Sequence, residues 1–358
     1  MRILNLVAGE KWTGPAAVVY DQTAALVAAG LEVQFGFVRD SPLAERLLPT
    51  GWARPLFERP PRWPGAYVRD VRRLRETILR EKFDVVHAHT LHDHHVAAWA
   101  IAGTRVPLLR TLHHLRHAHP RVAERIVYSR TRGFAYANSE IAEAFPTGGP
   151  VHSPVVDTER FHPGPKPIAT LRRFGLPEGR FLVGTIGKMA AGRGHEEAIH
   201  TVARTEESVD GVHVGHGEWM PRLKKLAASL RTGDRNFWTG YQEALLPELY
   251  RCWDAFLFTA SGSDQGQRAI LEAMASGLPV VALDLPGVGD LITDEKEGFI
   301  VRRVGELAER LAQLARSREL RNEIGEKARA RALNFTAEKF VEKALPFYKR
   351  FAAAASGK

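Results

Sequence analysis

The stretch RILNLVAGEKWTGPAAVVYDQTAALVAAGLEVQFGFV, residues 2–38, decides the fold. RILNLV (2–7) is a short apolar run and reads as a strand. AAVVYDQTAALVAAG (16–30) reads as a helix closed by Gly30, and EVQFGFV (32–38) reads as a second strand. The alternation continues through FDVVHAH (83–89), VPLLRTLH (106–113) and GFAYANS (133–139), each short, apolar and followed by a loop. Alternating strands and helices predict an α/β fold with a doubly wound parallel sheet.

The pattern then restarts. HSPVVDTERFHPGPKP (152–167) is rich in proline and turn residues and reads as a linker. Beyond it FLVGTIGKM, GVHVGHG, RNFWTGY, AFLFTA and PVVALD alternate with helical stretches. A chain of 358 residues with 44% hydrophobic and 25% charged residues suits two cores. The expected domains are 1–160 and 161–335, both Rossmann-like and facing each other across a cleft. Residues 336–358 form a terminal helix, interrupted by Pro346, that packs back toward the first domain.

Composition narrows the chemistry. The only cysteine is Cys252, which excludes an internal disulfide, a cysteine-based zinc site and an iron–sulfur cluster. The start of the chain lacks a long apolar region with a cleavage site, and no stretch is long and apolar enough to cross a membrane, so a cytoplasmic location is expected. The net charge of +9 favours anionic partners, and residues 39–82 carry about +5 of it, mostly as arginine. Nucleic acid is not expected, because basic motifs interleaved with aromatics and helix-turn-helix signals are missing.

VVHAHTLHDHH (85–95) holds His87, His89, His92, His94 and His95 around Asp93. It fits neither His-x-His-x-Asp-His nor His-Glu-x-x-His, so no metal is assigned; two histidines on one helix turn with a third ligand elsewhere are the one route to a metal left open. His87 and His89 read as strand-end groups lining the cleft; His113 and His114 follow the next strand. Two strand ends presenting imidazoles suit a polyhydroxylated ligand.

Three post-strand segments of the second domain can serve one ligand. GTIGKMAAGRGH places Lys188 and Arg193 among Gly187, Gly192 and Gly194, where backbone and two cations can approach a diphosphate. GHGE (215–218) is a second glycine-rich turn. In SGSDQGQRAILEAMASG, Asp264 sits in a polar loop and a helix starts near Gln267, with Glu272 a turn and a half inside. A helix N-terminus offers free N–H groups and a positive dipole end to phosphate, and a carboxylate can take both hydroxyls of a ribose.

Taken together these segments resemble the family 4 retaining glycosyltransferases of the GT-B fold, along nearly the whole chain. The family pattern of Glu, seven residues, Glu before EAMA-G-PVVA appears as Asp264, QGQRAIL and EAMASGLPVVA. Its Arg, four residues, Lys appears as Lys188 and Arg193 with the types exchanged. VVDTERFHPG (155–164), ANSE (137–140) and LPELYRCWDAFLFTA (246–260) are also similar to family segments.

The resemblance implies a nucleotide-diphosphate-sugar co-substrate in the second domain, of UDP, GDP or ADP type, and a glycan or glycolipid acceptor in the first. It implies that Lys188 and Arg193 neutralise the leaving diphosphate, that Glu272 binds the ribose, and that Asp264, Gln265 and Gly266 hold the transferred sugar. His113 matches the histidine facing that sugar. Gly14 stands near the diphosphate, and Gly215 of the GHGE turn is counted with the residues that bind the donor. It also implies transfer with retention, without a metal or a permanent cofactor, in cell-surface glycan or lipopolysaccharide biosynthesis. Two rivals stand beside it: a non-hydrolysing sugar-nucleotide epimerase of the same fold, and a basic peripheral membrane-binding protein without catalysis. The second points to PGAYVRDVRRLRETILREKFD (64–84), where Val68, Val71, Leu74 and Ile78 share one face among arginines and could lie on the anionic inner face of the cytoplasmic membrane.

Overall fold

In the computed structural model, residues 1–9, 12, 14–58, 64–205, 208–260 and 267–356 are described. The chain divides into two compact units, one made of 1–155 and 337–358, the other of 156–336. Each is built on a six-stranded parallel sheet.

In the first unit the strands are β1 (Arg2–Val7), β2 (Glu32–Val38), β3 (Ala53–Phe57), β4 (Val85–Ala88), β5 (Leu108–Leu112) and β6 (Thr131–Tyr136). Their order is β3-β2-β1-β4-β5-β6. In the second they are β7 (Phe181–Ile186), β8 (Val209–Val214), β9 (Asn236–Gly240), β10 (Ala255–Phe258), β11 (Val280–Leu283) and β12 (Gly298–Val301). Their order, β12-β11-β10-β7-β8-β9, repeats that of the first unit read from the other edge. Both are therefore doubly wound Rossmann-like sheets. The order reverses between β1 and β4 in one unit and between β7 and β10 in the other. Ligands of such sheets bind beyond the carboxyl ends of the strands at that switch point.

Every residue of β4, β5, β8 and β10 is buried, as expected of parallel strands covered on both faces. The Pro-containing strand β3 lies at the sheet edge, where a missing N–H is tolerated.

Two expectations change. Pro346 does not interrupt the last helix, which runs from Ala337 to Ser356. Phe340, Ala344, Phe347 and Tyr348 bury one face of it in the first unit's core together with Ile3, Leu26 and Leu109. That packing outweighs the roughly 3 kcal/mol local cost of an interior proline. In the basic helix Pro64–Glu81, Leu74 and Ile78 are fully enclosed in the core and Val71 packs beside them, so the apolar face is already occupied by protein. Only Val68 of that face stays exposed. Among the described residues no helix is long and apolar enough to cross a membrane.

Candidate active site

In the second unit the loop after β7 and the turn after β8, two of the segments singled out by sequence, are bonded to each other beside the β7/β10 switch point. The loop after β7 runs from Gly187 to Gly194, and the helix His195–Arg204 follows. Backbone bonds to the turn after β8 hold it: Gly187 N–H donates to the Val214 carbonyl (3.0 Å) and Met189 N–H to the His216 carbonyl (3.1 Å). Lys188 is therefore anchored on both sides. Gly215, with φ +141°, lies so close to this loop that a Cβ there would land on the Gly187 carbonyl oxygen. The structure thus brings Gly215 against the Gly187–Gly194 loop as its packing partner.

Gly194 ties the same loop to β10. It caps the helix His195–Arg204 with a left-handed φ of +85°. Its carbonyl accepts the Thr259 hydroxyl at 2.7 Å, and a Cβ at Gly194 would sit 2.6 Å from that oxygen. Thr259 is a positioning residue that the sequence reading missed; its signal is a hydroxyl immediately after an apolar strand.

Lys188 and Arg193 leave this frame differently. Lys188 is exposed and sits 3.4 Å from Glu218, itself exposed. Such surface pairs contribute little and are readily exchanged for a stronger anion. Arg193 is half-buried and has no ion-pair partner among the described residues.

The third segment continues past β10. Asp264, Gln265 and Gly266, expected to hold the sugar, lie outside the described residues. The helix Gln267–Ala275 begins right after them, and Glu272 lies in it. Glu272 is almost fully buried. Tyr250 donates its hydroxyl to one oxygen (3.0 Å) and Arg268 Nε donates to the other (3.0 Å). Burial raises the carboxyl above its usual range, with Arg268 and Tyr250 pulling the other way. Each oxygen retains a further lone pair.

In the first unit, Gly14 is the first residue of the helix Gly14–Ala28, on the carboxyl side of β1. The histidine run splits between β4 and the helix Leu91–Ala100. Thr90 and Asp93 cap that helix reciprocally. Asp93 also accepts the Ala8 N–H from the end of β1 (2.9 Å) and the His89 N–H (3.0 Å), so it stitches the β1/β4 switch point. Arg110 of β5 lies 3.5 Å from it, both side chains fully enclosed. Sequence reading gave Arg110 no role; a charged residue inside an otherwise apolar strand was its signal.

His87 does not line an open surface. It is enclosed, bonded to the Tyr348 hydroxyl and to the Thr111 hydroxyl at 2.8 Å each. His89 bonds His113 across 3.1 Å. Burial, reinforced by the nearby Arg110 charge, pushes His113 down to about 3. His113 is thus a neutral imidazole at ordinary pH, suited to hydrogen-bonding hydroxyls and not to carrying charge. No group of three or more metal-ligating side chains is placed to hold an ion among the described residues.

Comparison with known proteins places both units in one enzyme family. A model described as Glycosyl transferases group 1 matches residues 169–331, and one described as Glycosyltransferase Family 4 matches 12–145. A GDP-mannose-dependent alpha-(1-6)-phosphatidylinositol monomannoside mannosyltransferase of Mycobacterium tuberculosis is 30% identical over 203 residues, covering 52% of this chain and 52% of that protein. The chain thus spans about half the length of the first curated relatives it matches. A D-inositol 3-phosphate glycosyltransferase of Salinispora arenicola is 28% identical over 313 residues, 76% of this chain and 70% of that one. The crystal structure of Anabaena HepE in complex with UDP superposes with a TM-score of 0.86 at 21% identity, covering 98% of this chain and 100% of that one.

Proposed function

We propose, for a chain that belongs to the family 4 type of GT-B glycosyltransferases, that it moves a sugar from a nucleotide-diphosphate-sugar to an acceptor hydroxyl with retention of configuration. The observation that carries this reading is the pair of cations, Lys188 and Arg193, on a loop fixed from two sides at the β7/β10 switch point.

Breaking the sugar–phosphate bond puts positive charge on the anomeric carbon and negative charge on the departing diphosphate. Lys188, Arg193 and the N-terminus of the helix Gln267–Ala275 stabilise the latter without a metal. Glu272, prepositioned by Tyr250 and Arg268, takes the ribose hydroxyls through its remaining lone pairs. Asp264, Gln265 and Gly266 hold the transferred sugar, with neutral His113 donating to one of its hydroxyls. Gly14 leaves room for backbone beside the diphosphate. The acceptor hydroxyl attacks from the face the diphosphate leaves and passes its proton to the departing phosphate oxygen, so no second carboxylate is needed as in glycosidases.

The second unit takes the donor and the first the acceptor, a glycan or glycolipid of cell-surface biosynthesis on the cytoplasmic side. The mycobacterial relatives make GDP-mannose the first donor to try, and the Anabaena complex makes a UDP-sugar the second. Lys188→Ala and Arg193→Ala are each expected to cut turnover at least about a hundredfold, read as nucleoside diphosphate release. Near-normal turnover in both variants would refute the assignment.

A further inference from the structure

His195 and His213 form a buried pair next to the Gly187–Gly194 loop, and their hydrogen bonds do not balance without an extra proton. Asn236 fixes one end. Its Nδ2 donates to the Thr232 carbonyl at 2.6 Å, which leaves its Oδ1 facing His213 Nε2 at 2.9 Å. An amide oxygen only accepts, so His213 Nε2 carries a hydrogen. The other end is the Gly187 carbonyl oxygen, 3.1 Å from His195 Nε2, which needs an N–H for the same reason. Between these ends the two Nδ1 atoms face each other at 3.2 Å. Two neutral imidazoles supply one N–H each, and both are used at the ends. The Nδ1 atoms then oppose two lone pairs. One more proton, held between them, closes an unbroken chain from Asn236 through His213 and His195 to Gly187.

In the free protein that proton is disfavoured. Both rings are buried, and His213 stacks flat on Trp238 with ring centroids 4.5 Å apart. Burial pushes His213 down to about 3 and lowers His195, with the Gly187 carbonyl pulling His195 the other way. His195 is also the first residue of its helix, where the positive dipole end opposes a cation. Of the ionisable groups around the pair, Lys188 is matched by Glu218 (3.4 Å) and Arg222 by Glu196 (3.3 Å). Asp210, at the start of β8, pairs with Arg180, and Glu306, on the helix Val304–Arg316 packed beside His195–Arg204, pairs with Arg303 (2.6 Å). Glu197 and Arg193 add one charge of each sign. Arg204 on the same helix, with Lys224 and Lys225 on the helix Met220–Ser229 packed against it, add exposed positive charge, so the free surroundings do not favour a further cation and an anion arriving on the loop changes that.

We propose that a nucleotide-diphosphate-sugar, on binding the second unit, draws one proton from solvent onto the His195–His213 pair and so closes the hydrogen-bond chain behind the Gly187 carbonyl, which sets Lys188 in place. The inference rests on the donor reading above. The negative diphosphate makes the buried cation tolerable, and the completed bond rigidifies the loop that holds the diphosphate. His195 and His213 are positioning residues, since His195 touches loop backbone, His213 touches His195, and neither touches substrate.

Calorimetric titration with GDP-mannose and UDP-glucose, at pH 7 in buffers of different ionisation enthalpy, counts the protons. The diphosphate of such sugars does not itself titrate near neutrality. The expected result is uptake of up to one proton per nucleotide in the intact protein, absent in His195→Gln. Because that variant could fold poorly, the intact protein gives a second reading: its log Kd must rise with pH by a slope equal to the uptake. Tight binding with no uptake overturns the proton inference and leaves the donor reading standing. Uptake that persists in His195→Gln also overturns it, placing the proton elsewhere. Failure of all donors to bind overturns both.

Discussion

Lowering the pH from 7.5 to 5.5 should destabilise the first unit more than the second. His94, His113 and His152 are buried in the first unit and held down to about 2, 3 and 4. His87 and His89 are lowered as well, chiefly by burial. Unfolded histidine takes its proton near 6.5. Stability from these groups is thus fully present above 6.5 and drains as the pH falls toward their folded values, because only the unfolded chain binds protons in that window. At pH 5.5, one unit below the unfolded value, each costs about 1.4 kcal/mol. His94, His113 and His152 together cost about 4 kcal/mol, against about 1.4 for His213 in the second unit. A domain holds only about 5–15 kcal/mol in all. Urea titrations at both pH values, followed by tryptophan fluorescence and circular dichroism, measure the loss, and amide exchange assigns it to β4 and β5 or to β7 and β8. An unfolding free energy for the first unit that is flat between pH 7.5 and 5.5 would refute the reasoning, since the imidazoles would then protonate without unfolding.

Further outcomes follow from the second unit. Gly194→Ala forces a left-handed residue, at about 1–2 kcal/mol, and drives its Cβ against Thr259, so the melting temperature should fall and donor affinity with it. Tyr250→Phe should cost about 1–3 kcal/mol in urea unfolding by leaving buried Glu272 short of a donor, and should weaken donor binding through the ribose. A chelator such as EDTA should leave transfer unchanged, because two cations and a helix end carry the diphosphate; loss of turnover restored by a divalent ion would contradict that.

The two sheets were legible because parallel strands, buried on both faces, write themselves as short apolar runs between helices. Lys188, Arg193 and Glu272 stood out in the sequence only as residue types after such runs. Their environments were not legible. That Glu272 is enclosed by Tyr250 and Arg268 depends on a residue 22 positions earlier in the chain, and no spacing rule connects the two. His87 read as a strand-end group, yet its partner Tyr348 is 261 residues away on the last helix. The same long-range packing carries that helix through Pro346, where local propensity predicts a break. Glycine patterns were visible, but their purpose at Gly194 and Gly215 emerges only once the neighbouring loop is seen pressed against them.

Binding of nucleoside diphosphate to the intact protein and to the Lys188→Ala, Arg193→Ala double variant tests the central claim most directly. Calorimetry with GDP and with UDP should give a saturable isotherm for the intact protein with at least one of them. The double variant should bind at least about a hundredfold more weakly, as expected when two charge-assisted hydrogen bonds to phosphate are removed. Equal affinity in both proteins, or no binding to the intact one, would contradict it.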